Sequence, residues 1–320
     1  MKTSWTRPLF LAGLSLAMHL AAHAQASGPI RWIVPFPPGG AADQTARLVA
    51  QDVGALLGVP IILDNKGGAG GTIAGDLAAR AKPDGKTFFV GANAPMVLDA
   101  ALYAKMPYDP VKDFVPVAGL GKSPLILSTR KDLGANNIQE LIALAKKNRL
   151  AMASAGTGNI THIAGEYANA KMGFQVTHVP FPGSAPAETS MMGGNVDIMY
   201  DSLPSSLQQA KSGLIKALAV LDNQRFPQLP QVPTLAEAGF PNAEASGWIV
   251  LVAPAKTPDN IVRDMNRAIN KVLGTPELTA RLQSIGEQPM PGSPEDLGRF
   301  MDEERARWLP LIRSLGIKPE

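Results

Sequence analysis

Six side chains mark out the chemistry this chain could perform: Ser154, His162, His178, Ser184, Asp197 and Asp201. A serine becomes a nucleophile when a histidine stands within hydrogen-bond reach. Ser154 or Ser184 with either histidine would therefore suit ester or amide cleavage, yet neither serine sits in a Gly-x-Ser-x-Gly elbow. His162 and Glu166, four apart, could share a helical face toward a metal, but no third ligand accompanies them. Asp197 and Asp201 flank a strand end in "VDIMYDSLP", where paired carboxylates could exchange protons only if they faced one another. The chain has no cysteine, so thiol chemistry and disulfides are excluded.

Anion binding has the stronger signature. "VPFPPGGAADQTA" and "MASAGTGNITHIAGE" both run strand, Gly-containing loop, helix. That order points the free N–H groups of a first helical turn into the space beyond a sheet, where the helix dipole also favours negative charge. Ser154 and Thr157 add hydroxyls to the second loop. Phosphate motifs fit poorly. Gly85-Lys86-Thr87 and Gly121-Lys122-Ser123 echo the end of a P-loop, but Arg80 and Pro116 occupy the place of its first glycine. "GGAGGTIAG" has Ile73 at the third glycine of a dinucleotide fingerprint, and reads as a tight turn at a helix start.

The elements that would position these loops alternate in type. "IRWIVPF", "PIILDN" and "KTFFVGA" are strands separated by helical segments, the first with Ala46, Val49, Ala50, Val53 and Leu57 at helical spacing. The pattern restarts at "PLILST" and continues through "LAMAS", "VTHVPF", "VDIMY" and "KALAVL", followed by a lone strand, "GWIVLVAP". Helix starts are expected at Thr257-Pro258 and at Ser293, which has Asp296 at capping-box spacing. The implied fold class is α/β with two lobes, each a mostly parallel sheet flanked by helices, and two hinge crossings. The expected division is residues 25–123 plus 248–320 for the first lobe and 124–247 for the second. Ligands of open parallel sheets sit beyond the strands' carboxyl ends, so facing lobes would enclose a cleft.

The first 24 residues read as a cleaved secretory signal. Lys2 and Arg7 precede an apolar run from Leu9 to Ala22 and an Ala22-His23-Ala24 cleavage site, and the run is short for a membrane span. Cleavage would remove two of the 30 basic residues and none of the 27 acidic ones, leaving near balance. A nearly neutral chain argues against nucleic acid or an anionic membrane as partner.

"PFPPGGAADQTAR", "DNKGGAGGTIAGDLAARAKPDG", "MPYDPVKDFVPV", "SAGTGNITHIAGE", "GSAPAETSMMGGNVDIMYDSLP" and "VPTLAEAGF" together resemble the periplasmic solute receptors of the tripartite tricarboxylate transport system, the Bug family. The resemblance covers nearly the whole chain after the leader. It implies a type II-like periplasmic binding protein that closes on a small carboxylate and delivers it to integral membrane permease subunits. It also implies a monomer with no cofactor, no metal and no catalysis. By the same resemblance the ligand contacts fall on Phe36, Pro38, Gly39, Gly40, Asp43 and Asn93 in the first lobe. In the second they fall on Ala155, Gly156, Thr157, Asn159, His162, Phe181, Ser184 and Asp201. Asn159 stands where the family usually has Ser, and Phe181 and Pro182 replace a hydroxyl and a cation. With Phe36, Pro37, Pro38 and one of Met199 and Tyr200 as further walls, these changes favour a monocarboxylate or aromatic acid over citrate. Two other readings compete: a periplasmic α/β hydrolase using a serine and a histidine, and a receptor presenting its ligand to a membrane sensor.

Overall fold

The computed structural model describes residues 28–317, so the expected leader, residues 1–24, lies outside the described residues. The first unit is β1 (Ile30–Val34), α1 (Ala41–Leu57), β2 (Ile61–Asn65), a 3-10 turn (Ala69–Gly71), α2 (Thr72–Ala79) and β3 (Thr87–Ala92). A π-type turn (Ala94–Leu98) and α3 (Asp99–Leu102) lead to the long strand β4 (Phe114–Arg130). The second unit comprises α4 (Ile138–Lys147), β5 (Leu150–Ser154), α5 (Ile160–Met172), β6 (Val176–Pro180), α6 (Ser184–Met192), β7 (Ile198–Ser202), α7 (Leu203–Lys211) and β8 (Ile215–Val220). The chain returns through β9 (Ser246–Pro254), α8 (Asp259–Leu273), α9 (Pro276–Ser284), β10 (Gln288–Pro289) and α10 (Pro294–Leu315). Among the described residues no helix is long and apolar enough to cross a membrane.

β1 is parallel to β2 and β3, as the alternation of strands and helices requires. β9 then adds antiparallel to β3, and β4 antiparallel to β9, so the first-lobe sheet is mixed. A strand returning late from the other lobe enters from the opposite direction, and this inserts the antiparallel pair. In the second lobe β5 is parallel to β6 and β7, while β4 pairs antiparallel with β7 and β8.

β4 serves both sheets. Its residues Phe114 to Pro124 pair with β9, and Leu125 to Thr129 pair with β7. The sequence pattern revealed only the second half of this strand, because Pro116, Gly119 and Gly121 interrupt the apolar text and coincide with register shifts.

Both faces of the first sheet are covered, which is why β1 is apolar at consecutive positions. Trp32 and Val34 pack with Val49, Val53, Ile269 and Val272 under α1 and α8. Ile33 and Phe89 face the opposite layer, a continuous core that runs through Trp248 to Ile163, Tyr200 and Trp308 and so spans both lobes. Trp248 Nε1 donates to Glu304 Oε2 at 2.7 Å, fixing the start of β9 to α10. The Ser293–Asp296 capping box is present. At the start of α8 Pro258 is the cap residue and the Thr257 hydroxyl donates back to Pro254 O instead, at 2.7 Å.

Candidate functional site

Between the lobes lies a cavity of about 50 Å³. One water needs roughly 10–15 Å³ measured this way, so the space suits a small organic molecule. Phe36, Pro37, Pro38, Gly40, Ala42 and Asn93 line it from the first lobe, and Ala155, Asn159, Ile160, Ser184 and Ala185 from the second. Ser123, Ser202, Trp248 and Glu287 close the floor, and no Lys or Arg is in the lining.

The first-lobe loop is shaped so that its amides are left over. Pro37 and Pro38 have no N–H, and Gly39 takes a left-handed turn at φ +89° that favours glycine. The Gly39 N–H donates to Asp43 Oδ2 at 3.1 Å, while Asp43 Oδ1 accepts from Arg47 at 2.7 Å and Asn65 at 3.2 Å. Asp43 therefore braces the loop from behind and is absent from the cavity wall. The Ala41 N–H crosses to the second lobe and donates to Ser205 Oγ at 3.1 Å. The N–H groups of Gly40, Ala42 and Asp43 have no acceptor among the described residues, which is the state of a helix end open to an anion.

The second-lobe loop consumes its own amides. Ala155 N–H donates to Thr161 Oγ1 (2.9 Å), Gly156 N–H to Ser154 Oγ (3.2 Å), Gly158 N–H to His162 Nδ1 (3.1 Å) and Thr161 N–H to Asn159 Oδ1 (3.1 Å). His162 is stacked on His178 with ring centroids 3.6 Å apart, and His178 Nε2 meets Ser154 Oγ at 2.7 Å. Burial pushes both imidazoles down, His162 to about 3 and His178 to about 4, so both are neutral at neutral pH. The Ser154–His178 pair has the contact a hydrolase would use. Ser154, however, is wholly buried, neither residue reaches the cavity, and no carboxylate is hydrogen-bonded to His178 among the described residues.

The open amides of the second lobe belong instead to α6. The N–H groups of Ser184 and Ala185 have no acceptor among the described residues, and Pro186 has none to offer. The Ser184 hydroxyl donates to Asp201 Oδ1 at 2.7 Å, and the Ser202 N–H donates to the same oxygen at 2.9 Å. Asp201 is buried behind Ser184 beside Glu188. Burial raises both acids, and the Asp201 charge raises Glu188 further, so Glu188 holds a proton at neutral pH. Asn93 is spent on the crossing: Nδ2 donates to Ser246 O and Oδ1 accepts the Trp248 N–H, both at 3.1 Å.

Of the residues expected at the site, Phe36, Pro38, Gly40, Asn93, Ala155, Asn159 and Ser184 line this cavity. Gly156, Thr157 and Phe181 line a neighbouring one with Pro182, Tyr103 and the Gly68–Gly71 turn. Asp43, His162 and Asp201 are buried behind the wall, while Gly39 is exposed at the cleft mouth, facing Ala185 across it. Met199 and Tyr200 are both buried away from the cleft, Met199 against Ala187 and Met191 and Tyr200 with its hydroxyl on Asn169. Neither is the wall expected of one of them, because α5 and α6 cover both faces of β7.

Sequence reading missed Ser123, Ser202, Ser205, Trp248 and Glu287. They come from four elements, β4, β7, α7 and β9, and from the turn before β10, and no local motif marks them. Glu287 is the most unusual: it is 1% exposed, lines the cavity, and has no hydrogen bond of good geometry on either oxygen. The Ser123 and Thr45 hydroxyls stand near enough to favour its charged form, but burial outweighs them and pushes the carboxyl up to about 8.

Comparison with known proteins identifies relatives along nearly the whole chain. The family described as tripartite tricarboxylate transporter family receptor matches residues 45–317. Protein BugT of Bordetella pertussis is 33% identical over 313 residues, covering 97% of this chain and 96% of BugT. An R. palustris structure with adipate has a TM-score of 0.90 at 34% identity, covering 92% of this chain and 100% of the other. MatC from Rhodopseudomonas palustris with bound malate has a TM-score of 0.85 at 33% identity, covering 90% and 99%.

Proposed function

The chain belongs to the family of tripartite tricarboxylate transporter receptors, and from that premise we propose that it is a periplasmic receptor that closes its lobes on a small carboxylate and hands it to membrane permease subunits. The observation that carries this reading is the pair of open helix ends, α1 and α6, which bring unaccepted N–H groups from opposite lobes to one cavity. Each helix end favours an anion by about 0.3–1 kcal/mol, more when partly buried. Because the two ends belong to different lobes, an anion that uses both stabilises the closed form over the open one.

The relatives with adipate and malate, both dicarboxylates, support a compact dicarboxylate, while the apolar walls suit an acid with one carboxylate and an apolar or aromatic body. The lining offers no cation to neutralise the three charges of citrate, and unpaired charge in a closed cleft costs several kcal/mol. The chain acts as a monomer without cofactor, enters the periplasm by cleavage after Ala24, and binds without turnover. A thermal-shift screen of the mature chain against succinate, malate, adipate, benzoate, nicotinate and citrate tests this. Ligand at about one hundred times Kd adds roughly 2.7 kcal/mol of stability, several degrees in Tm. No shift with any carboxylate, or conversion of an ester or amide that disappears on His178→Gln, would replace this reading with another.

A further inference from the structure

Glu287 stands at the floor of the cavity just before β10 and comes from a part of the chain that carries none of the expected contacts. Room for it is made deliberately. A Cβ on Gly121 of β4 would lie 2.4 Å from Glu287 Cγ, and a Cβ on Gly286 would lie 2.6 Å from Leu203 Cβ. The carboxyl is thus packed into place, yet neither oxygen has a well-formed hydrogen bond from the protein.

The groups facing it are few. α1 presents Thr45 and β4 presents Ser123 and Gly121, none of which titrates at physiological pH, and Leu203 at the start of α7 packs against the adjoining Gly286. Lys122, the adjacent cation on β4, lies over the Phe300 ring, and Arg281 of α9 is paired with Asp52. Among the described residues no cation is paired with Glu287, and its burial keeps the proton on at neutral pH. If the cavity takes a carboxylate, as proposed above, an ionised Glu287 would repel it, whereas a neutral one can turn its O–H toward it. A carboxylic acid kept neutral in an apolar pocket so that it can donate is an established device.

We propose that Glu287 is a ligand-contacting, specificity-determining residue that donates its carboxyl O–H to an oxygen of the bound carboxylate, taking the place of the cation this cleft lacks. Binding is then linked to a proton. The acid form binds, so affinity is flat below the pKa of Glu287 and falls as pH rises through it, the ligand carboxylates being ionised throughout.

The inference rests on the carboxylate reading, and one titration series separates their failures. Succinate, adipate and benzoate are titrated calorimetrically into the mature chain at pH 7.0 and pH 9.5, with apo melting curves at both. For wild type, any of these acids that binds at pH 7.0 is expected to bind about thirtyfold more weakly at pH 9.5, the loss of neutral form for a group near 8. Glu287→Gln, whose amide still donates, is expected to stay within about threefold of wild type at pH 7.0 and to lose the pH dependence. Glu287→Leu should bind at least tenfold more weakly at pH 7.0, with an apo Tm no lower than wild type because an orphaned polar group has been removed. An unchanged pH response in Glu287→Gln overturns the inference. So does affinity that rises through pH 8 and is abolished by Glu287→Gln, which would mean an ionised Glu287 holding a cationic ligand group. Wild type that binds none of the three at pH 7.0 and gives no thermal shift with malate, nicotinate or citrate overturns the carboxylate reading itself.

Discussion

The two glycine loops that face each other across the cleft, residues 35–41 and 155–159, look like copies of one design in sequence but are put to opposite uses. In the first, two prolines and the Asp43 brace leave the amides of Gly40, Ala42 and Asp43 open. In the second, Ser154, Asn159, Thr161 and His162 accept nearly every amide the loop has. The open cradle of the second lobe lies one element further on, at Ser184 and Ala185. Glycine before a helix thus marks where a backbone can approach a ligand. Which side chains stand behind it decides whether its donors remain free.

The strongest way to break this contrast is to add bulk to each loop. Gly40 has an ordinary φ of −78° and its Cβ would meet nothing closer than 4.0 Å, so Gly40→Val should fold normally. It would occlude the open amides, and carboxylate affinity should fall by about a hundredfold, near 2.7 kcal/mol. Gly156 sits at φ +126°, so Gly156→Ala should instead lower Tm through about 1–3 kcal/mol of strain and leave affinity closer to wild type. Equal affinity losses in the two variants, measured by calorimetry with apo melting curves, would mean that both loops bind alike.

Acid should distinguish the loops next. His162 and His178 are neutral in the fold but bind protons near 6.5 when unfolded, so the unfolded state takes up more protons below that value. Stability should be full above pH 6.5 and decline as pH falls toward 4, by at most about 1.4 kcal/mol per pH unit from His162. His162→Gln should flatten part of this slope in a series of melting curves. A wild-type slope identical to that of the variant would remove the histidine stack from the account.

Ser205→Ala tests the contact between lobes at the open loop. Losing the hydroxyl that accepts from Ala41 should cost about 1 kcal/mol of closure, a roughly fivefold rise in Kd, with little change in apo Tm. The smallest effect is expected at Arg47, whose ion pair with Asp43 is largely exposed on the arginine side. Arg47→Ala should shift stability by no more than about 0.5 kcal/mol.

Much of the frame was legible before the structure. Strands β1, β2, β3, β5, β6 and β7 and helices α1, α2, α4 and α5 announce themselves by apolar runs, helical spacing and Gly or Pro punctuation, all of which are local signals, whereas α6, whose start opens on the cavity, has no apolar stripe to mark it. The loop at Phe36 to Gly40 was legible for the same reason. The spent amides of the second loop were not, because whether Gly158 is free depends on which way His162 turns, and a helical histidine has no sequence mark for that. Asp43 and Asp201 carry the polarity expected of contacts but act behind the wall, bracing Gly39 and Ser184. Glu287 lay beyond local reasoning altogether. An acid in "SIGEQPMP" reads as a solvated turn until Gly121, some 166 residues earlier, is seen to make its socket.

β4 carries one more implication. Among the described residues the lobes are joined by this unbroken strand and by β9 paired alongside it, Pro124 opposite Ser246. A digesting enzyme needs a segment it can peel out of the fold, and such segments lie at exposed tips. Trypsin acting on the native chain should therefore nick at exposed sites such as Lys105 or Lys256 and leave the pieces associated, co-eluting at the size of the intact protein. Release of a separate soluble fragment bounded near residues 124 and 246 would show that the two lobes are strung together like beads, when the strand pairing makes them halves of one twisted ribbon.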